Sequence, residues 1–173
     1  MKAINEQIRK RWISLYVEND VGVLARIAGL FSGKSYNLSS LTVGETEDPT
    51  VSRMTISLYG DDKTFEQSKK QLNRSVEGIK VLDFTDLPIH KKELLFLRLH
   101  SLKREETEEV FRSASVFGIT VCDYDRGCVL LESVKTETEN DEVLRYYKKH
   151  YLSRMEAVRG GAVAVESVSR SER

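Results

Sequence analysis

Trp12-Ile13-Ser14-Leu15-Tyr16-Val17-Glu18-Asn19-Asp20-Val21-Gly22-Val23-Leu24-Ala25-Arg26-Ile27-Ala28-Gly29-Leu30-Phe31 decides the reading of this 173-residue chain. The first six of these residues alternate around apolar β-formers and predict a strand. Residues 18–22 have turn composition. Val23, Leu24, Ile27, Ala28, Leu30 and Phe31 recur at helical spacing and give one apolar face. A strand therefore passes through a tight turn straight into a helix. The start of a helix has unpaired N–H groups and partial positive charge, so carboxylates and phosphates bind well there. Gly22 lets a backbone or a ligand approach closely. Asn19 can donate and accept, which suits the zwitterionic head of an amino acid. The same residue types are also ordinary helix caps, and both readings stay open on chemistry alone.

Working outward, residues 36–46 read as a second strand with Leu38, Leu41 and Val43 as its apolar positions. Asp48-Pro49 marks a hairpin turn. Residues 51–59 form a third strand with Met54, Ile56 and Leu58 inward. Gly60-Asp61-Asp62 breaks it, and the two acids suit a helix N-terminus. Phe65, Ser68, Leu72 and Val76 make a narrow stripe on a second helix, closed by Gly78 before a short strand over residues 79–84. The order is then repeated. Residues 93–100 are strand-like, and residues 104–117 are helical with Val110, Phe111 and Ala114 on one face. Residues 119–123 and 128–134 make a hairpin across Tyr124-Asp125-Arg126-Gly127. Residues 139–151 are helical, and residues 155–168 form a strand broken at Gly160-Gly161.

Each half predicts a strand-helix-strand-strand-helix-strand unit, so the fold class is α+β with two ferredoxin-like βαββαβ units. The expected division is an N-terminal tail at 1–11, a first domain at 12–86, a linker at 87–93 around Leu87-Pro88, a second domain at 94–168 and a C-terminal tail at 169–173. The two halves share little residue identity. One sheet face in each half should lack helical cover, and an exposed apolar face invites docking.

Composition excludes several classes. Lys plus Arg number 27 and Asp plus Glu number 27. That neutral balance argues against a domain that grips phosphate backbones. RNA-recognition domains built on this strand order stack bases on central-strand aromatics. Here those strands offer Trp12, Tyr16 and only the terminal Tyr59. No apolar run is long enough to span a bilayer. Residues 1–11 are polar and lack a signal-peptide core. The expectation is a cytoplasmic protein with reduced Cys122 and Cys128. Those two cysteines lack the paired short spacings of a zinc site. Gly-x-Ser-x-Gly, phosphate-loop and His-Glu-x-x-His motifs are absent. His90, His100 and His150 are scattered and have no evident acid–base partner. No catalytic residue and no metal site are expected.

Residues 18–31 resemble the opening of an ACT domain. More narrowly, Tyr36-Asn37-Leu38-Ser39-Ser40-Leu41-Thr42-Val43-Gly44 and Asp48-Pro49-Thr50-Val51-Ser52-Arg53-Met54-Thr55-Ile56 resemble the small regulatory subunits of acetolactate synthase. The resemblance covers residues 12–86 closely. It continues more loosely through Leu94 to Leu99, Val110-Phe111-Arg112 and Val158-Arg159-Gly160-Gly161-Ala162-Val163-Ala164. Ser35 stands where that family usually has Gly, and residues 146–153 have no clear match. The resemblance implies a non-catalytic partner of a large catalytic subunit. This partner raises that subunit's activity and confers feedback inhibition by valine or a related branched-chain amino acid. Thiamine diphosphate, magnesium and FAD would belong to the catalytic subunit, and this chain would carry no cofactor. ACT domains of this type pair into a homodimer with a continuous eight-stranded sheet. The effector lies between the helix turn of one chain and the second strand of the other. Carried onto this chain, the effector residues are Asn19, Asp20, Val21, Gly22, Val23, Leu24, Asn37 and Leu38. The alternative is a free-standing amino-acid sensor that regulates a different enzyme.

Overall fold

The computed structural model describes residues 8–32, 38–75 and 78–168. Two compact units divide the chain. One comprises Met1–His90 with Ala164–Arg173, and the other comprises Lys91–Val163. Each is an antiparallel sheet with two helices, so the α+β ferredoxin-like expectation holds.

In the first unit the elements run β1 (Arg9–Glu18), α1 (Val23–Ser32), β2 (Leu38–Glu45), β3 (Val51–Gly60), α2 (Asp62–Ser75) and β4 (Gly78–Asp83). The strand order is β2-β3-β1-β4. β1 is therefore interior, antiparallel to both β3 and β4. Side chains alternate across a strand, and register sets Leu15 opposite Met54 and Ile13 opposite Ile56. These residues, with Val17 and Leu58, pack against Val23, Ile27 and Phe31 of α1 and Phe65 and Leu72 of α2. Asp61 caps α2, its carboxylate accepting from the Thr64 amide at 2.7 Å and the Thr64 hydroxyl at 2.7 Å.

The opposite face of this sheet departs from expectation. Trp12, Ser14, Thr55 and Ser57 are all buried there. Apart from Trp12 they are small and polar, so this face is not the open apolar surface that the alternation suggested. Gly78 opens β4, and Val76, expected on the stripe of α2, lies outside the described residues.

The elements of the second unit are β5 (Ile89–Leu99, whose first two residues belong to the first unit), α3 (Arg104–Phe117), β6 (Thr120–Asp125), β7 (Cys128–Lys135), α4 (Glu137–Tyr151), a short 3-10 turn (Leu152–Arg154) and β8 (Met155–Arg159), while β9 (Val163–Glu166) belongs from Ala164 onward to the first unit. The order is β6-β7-β5-β8, and β9 pairs with β5. β5 starts at Ile89, inside the stretch expected to be a linker. Pairing with β9 gives that stretch the hydrogen-bond partners of a strand. Leu95, Leu97 and Leu99 of β5 pack with Val129, Leu131, Val110, Ala114, Val143 and Tyr147. On the other face Leu94, Val134 and Val158 are exposed, as the alternation suggested.

Ion pairs and caps fasten this unit. The Lys103 amide donates to Glu106 at 2.8 Å, and Arg154 donates to both Glu106 oxygens at 2.8 and 2.9 Å. The Arg154 guanidinium, more than the Lys103 amide, pulls the Glu106 carboxyl from 4.5 down to about 2. The Thr136 hydroxyl and amide hold Glu139 at about 2 likewise. A carboxyl depressed in the folded state adds stability that is complete above its unfolded value and is lost as pH falls through the folded one. That window runs from pH 4.5 down to about 2. Arg154→Met should flatten the fall of the thermal midpoint across this window, followed by circular dichroism. A slope equal to that of the unaltered chain would show that the pair does not hold the fold.

Candidate functional site

β1 ends at Glu18, and after four intervening residues the chain enters α1 at Val23. The turn is built by backbone geometry. Gly22 has φ +88, a conformation in which a Cβ is strained. The Val23 amide donates to the Asp20 carbonyl at 3.3 Å, and the helical ladder begins with Arg26 N–H to Gly22 O at 3.0 Å. Such a start leaves the amides of Leu24 and Ala25 without intrahelical acceptors. They sit at the positive end of the α1 dipole. Asp20, Val21 and Gly22 are exposed, and Val21 and Leu24 present apolar side chains to solvent, while Val23 is buried in the core. Amides without intrahelical acceptors thus lie beside a small apolar surface.

Asn19 is tied into the rest of the sheet. Its Nδ2 donates to Glu45 Oε1 at 3.1 Å and to the Pro49 carbonyl at 3.0 Å. Its Oδ1 accepts from the Ser52 hydroxyl at 2.9 Å. Its amide donates to the Thr50 carbonyl at 2.8 Å. One side chain therefore joins the end of β1 to the end of β2, the hairpin and the start of β3. The hairpin is itself stiff. Asp48 accepts from the Thr50 amide at 2.9 Å and the Thr50 hydroxyl at 2.6 Å, and these bonds hold its carboxyl below the usual range.

Leu38 opens β2, is partly buried and packs against the core. Asn37 lies outside the described residues. Among the described residues β2 is an edge of the sheet, and an edge strand offers one side of its backbone ladder to a further strand. Sequence reasoning named the turn but missed Glu45, Pro49, Thr50 and Ser52 as its anchors. The available signal was the Asp48-Pro49 hairpin, whose register places Glu45 opposite Ser52 and Ser52 opposite Val17. Among the described residues, no three His, Cys, Asp or Glu side chains gather as a metal site. No described helix is long and apolar enough to cross a membrane.

Residues 13–80 match the family model described as an AHAS small subunit-like ACT domain. Residues 92–168 match the model described as the small subunit of acetolactate synthase. The acetolactate synthase small subunit of Aquifex aeolicus is 37% identical over 159 residues, covering 92% of this chain and 82% of the relative. The probable acetolactate synthase small subunit of Archaeoglobus fulgidus is 37% identical, covering 90% and 96%. The crystal structure of the acetolactate synthase small subunit from Thermotoga maritima superposes with a TM-score of 0.85 at 30% identity, covering 94% of this chain and all of that one.

Two substitutions test how the turn is built. No atom lies within 4 Å of a Cβ added at Gly22, so Gly22→Ala should destabilise through backbone strain alone, by about 1–2 kcal/mol. Asn19→Ala should cost about 1 kcal/mol, and hydrogen exchange should speed up in the hairpin. Urea unfolding and exchange mass spectrometry would measure both. Gly22→Ala of unchanged stability would contradict the left-handed turn.

Proposed function

The chain belongs to the acetolactate synthase small-subunit family, and from that premise we propose that it is the regulatory partner of that enzyme's catalytic subunit. In this reading it senses a branched-chain amino acid, valine foremost, at the turn from β1 to α1. The observation that carries the reading is the pairing of first-turn amides with the exposed Val21 and Leu24 at a rigidly anchored turn. Those amides receive the carboxylate of the amino acid. Val21 and Leu24 cover its aliphatic side chain, and Asp20 and Asn19 complete the polar wall.

The turn alone leaves the ammonium end unmet. Two copies pair through their open β2 edges into one eight-stranded sheet, and Asn37, beside Leu38, comes from the partner to orient the ammonium. The site is then completed only in the dimer. Occupancy favours one arrangement of the pair, and that preference reaches the catalytic subunit as a population shift. The chain activates that subunit and makes it sensitive to feedback, while thiamine diphosphate, magnesium and FAD stay with the catalytic subunit. This chain supplies no catalytic group.

Calorimetry with valine tests the site. The unaltered chain should bind valine. Gly22→Asp should bind more than about tenfold more weakly than Gly22→Ala, a loss of at least ~1.4 kcal/mol. Asp tolerates a positive φ at least as well as Ala, so weaker binding by Gly22→Asp reports a carboxylate placed against the ligand's own and not extra backbone strain. Equal affinities would remove the site from this turn. Reconstitution with a catalytic subunit should raise its rate of acetolactate formation and make that rate valine-sensitive.

A further inference from the structure

Arg53 lies outside the residues assigned to the effector site, and its surroundings are unusual. It lies on β3, on the sheet face away from the helices, opposite Tyr16 of β1 and Gly44 of β2. Its Nε donates to the hydroxyl of fully buried Ser14 at 2.9 Å. Its guanidinium carbon stands 5.2 Å from the Tyr16 ring centre and 5.8 Å from that of Phe84. Among the described residues no carboxylate pairs with it. Its second acceptor is the carbonyl of Ala164, at 3.0 Å from Nη2.

Ala164 comes from the far end of the chain. The chain leaves the first unit after His90 and rejoins it at Ala164. Residues 164–168, which include β9 from Ala164 onward and are paired there with β5, therefore form a strap that returns to the first unit from the end of the second. The Ser167 amide donates to the Pro88 carbonyl at 2.8 Å, and the Ser167 hydroxyl meets His90 Nε2 at 3.3 Å. Ala164 itself is 1% exposed, so the seat admits a methyl group and little more. A partly desolvated cation needs its acceptors, and the strap supplies one of the two that Arg53 has among the described residues.

Arg53 also adjoins the anchored turn. The preceding residue, Ser52, donates to Asn19 at 2.9 Å. Arg53 thus links the strap to the β3 segment that holds the turn.

We propose that the strap of residues 164–168, clasped by Arg53, is a regulatory element whose docking is coupled to effector binding at the Asn19–Leu24 turn. Arg53 acts as a positioning residue, and this coupling rests on the amino-acid-sensing reading given above. Coupling is reciprocal. If a seated strap strengthens valine binding, valine must tighten the strap by the same factor.

The test uses hydrogen-exchange mass spectrometry on the full chain with and without valine, together with calorimetry. Valine should slow exchange at residues 164–168. Arg53→Met and Ala164→Phe should each free the strap, raising its exchange about tenfold or more without valine, and should weaken valine binding by a similar factor. Arg53→Lys keeps the charge but loses the two-sided donor geometry, and it should fall between. The double variant should be no worse than the weaker single one. A strap freed with valine affinity unchanged would overturn the coupling, as would a strap that stays protected in Arg53→Met. If the unaltered chain bound no valine, the sensing reading itself would fail, whereas exchange of the strap in the two variants would still report whether Arg53 is its clasp.

Discussion

β1 is hydrogen-bonded along both sides, to β3 and to β4. A strand fixed on both edges has little freedom in direction or register, and the alternation of its side chains then fixes which residues meet the helices. Ile13, Leu15 and Val17 go to the helix side and Trp12, Ser14 and Tyr16 to the other. The exit of the strand is fixed with it. Asn19, the first residue past β1, bonds to the hairpin and to Ser52. Gly22 then takes the left-handed conformation that starts α1. The amides at the head of α1 are positioned by that chain of constraints.

The outer strands have the complementary property. Among the described residues β2 is paired on one side only, which makes it a place where another strand can add. A self-complementary pairing of two such edges would generate a two-fold dimer and two equivalent sites. On the proposed reading, rigidity at β1 and openness at β2 divide the work. The first holds half of the ligand site, and the second brings the other half from a neighbouring chain. The return of residues 164–168 to the first unit adds a second route by which distant sequence can act on the same sheet.

Much of this was legible in the residues. Helical spacing located Val23, Ile27 and Phe31, and period-two alternation located Met54, Ile56 and Leu58, because both patterns follow directly from backbone geometry. All six are buried. Gly22 stood out as a turn residue, but composition alone carries no dihedral angle. The partners of Asn19 were hidden because they depend on strand register, which emerges only when the hairpin closes. The burial of Ser14, Thr55 and Ser57 was hidden for a similar reason: small polar residues on an alternating strand look solvent-facing. The seat of Ala164 beside Arg53 joins positions 111 residues apart, and no local pattern encodes it. Asn37 is named by family resemblance alone, and it lies outside the described residues.

The central claim is that the effector site is shared between two chains, and subunit mixing tests it most directly. Gly22→Asp damages the turn, and Asn37→Ala damages the partner's contribution. Each variant alone should bind no valine in calorimetry. After the two are mixed in equal amounts and allowed to exchange subunits, each mixed dimer should contain one undamaged turn facing one undamaged Asn37. About a quarter of the wild-type number of sites should return. A mixture in which mass spectrometry detects mixed dimers but calorimetry detects no valine binding would contradict a site built across two chains.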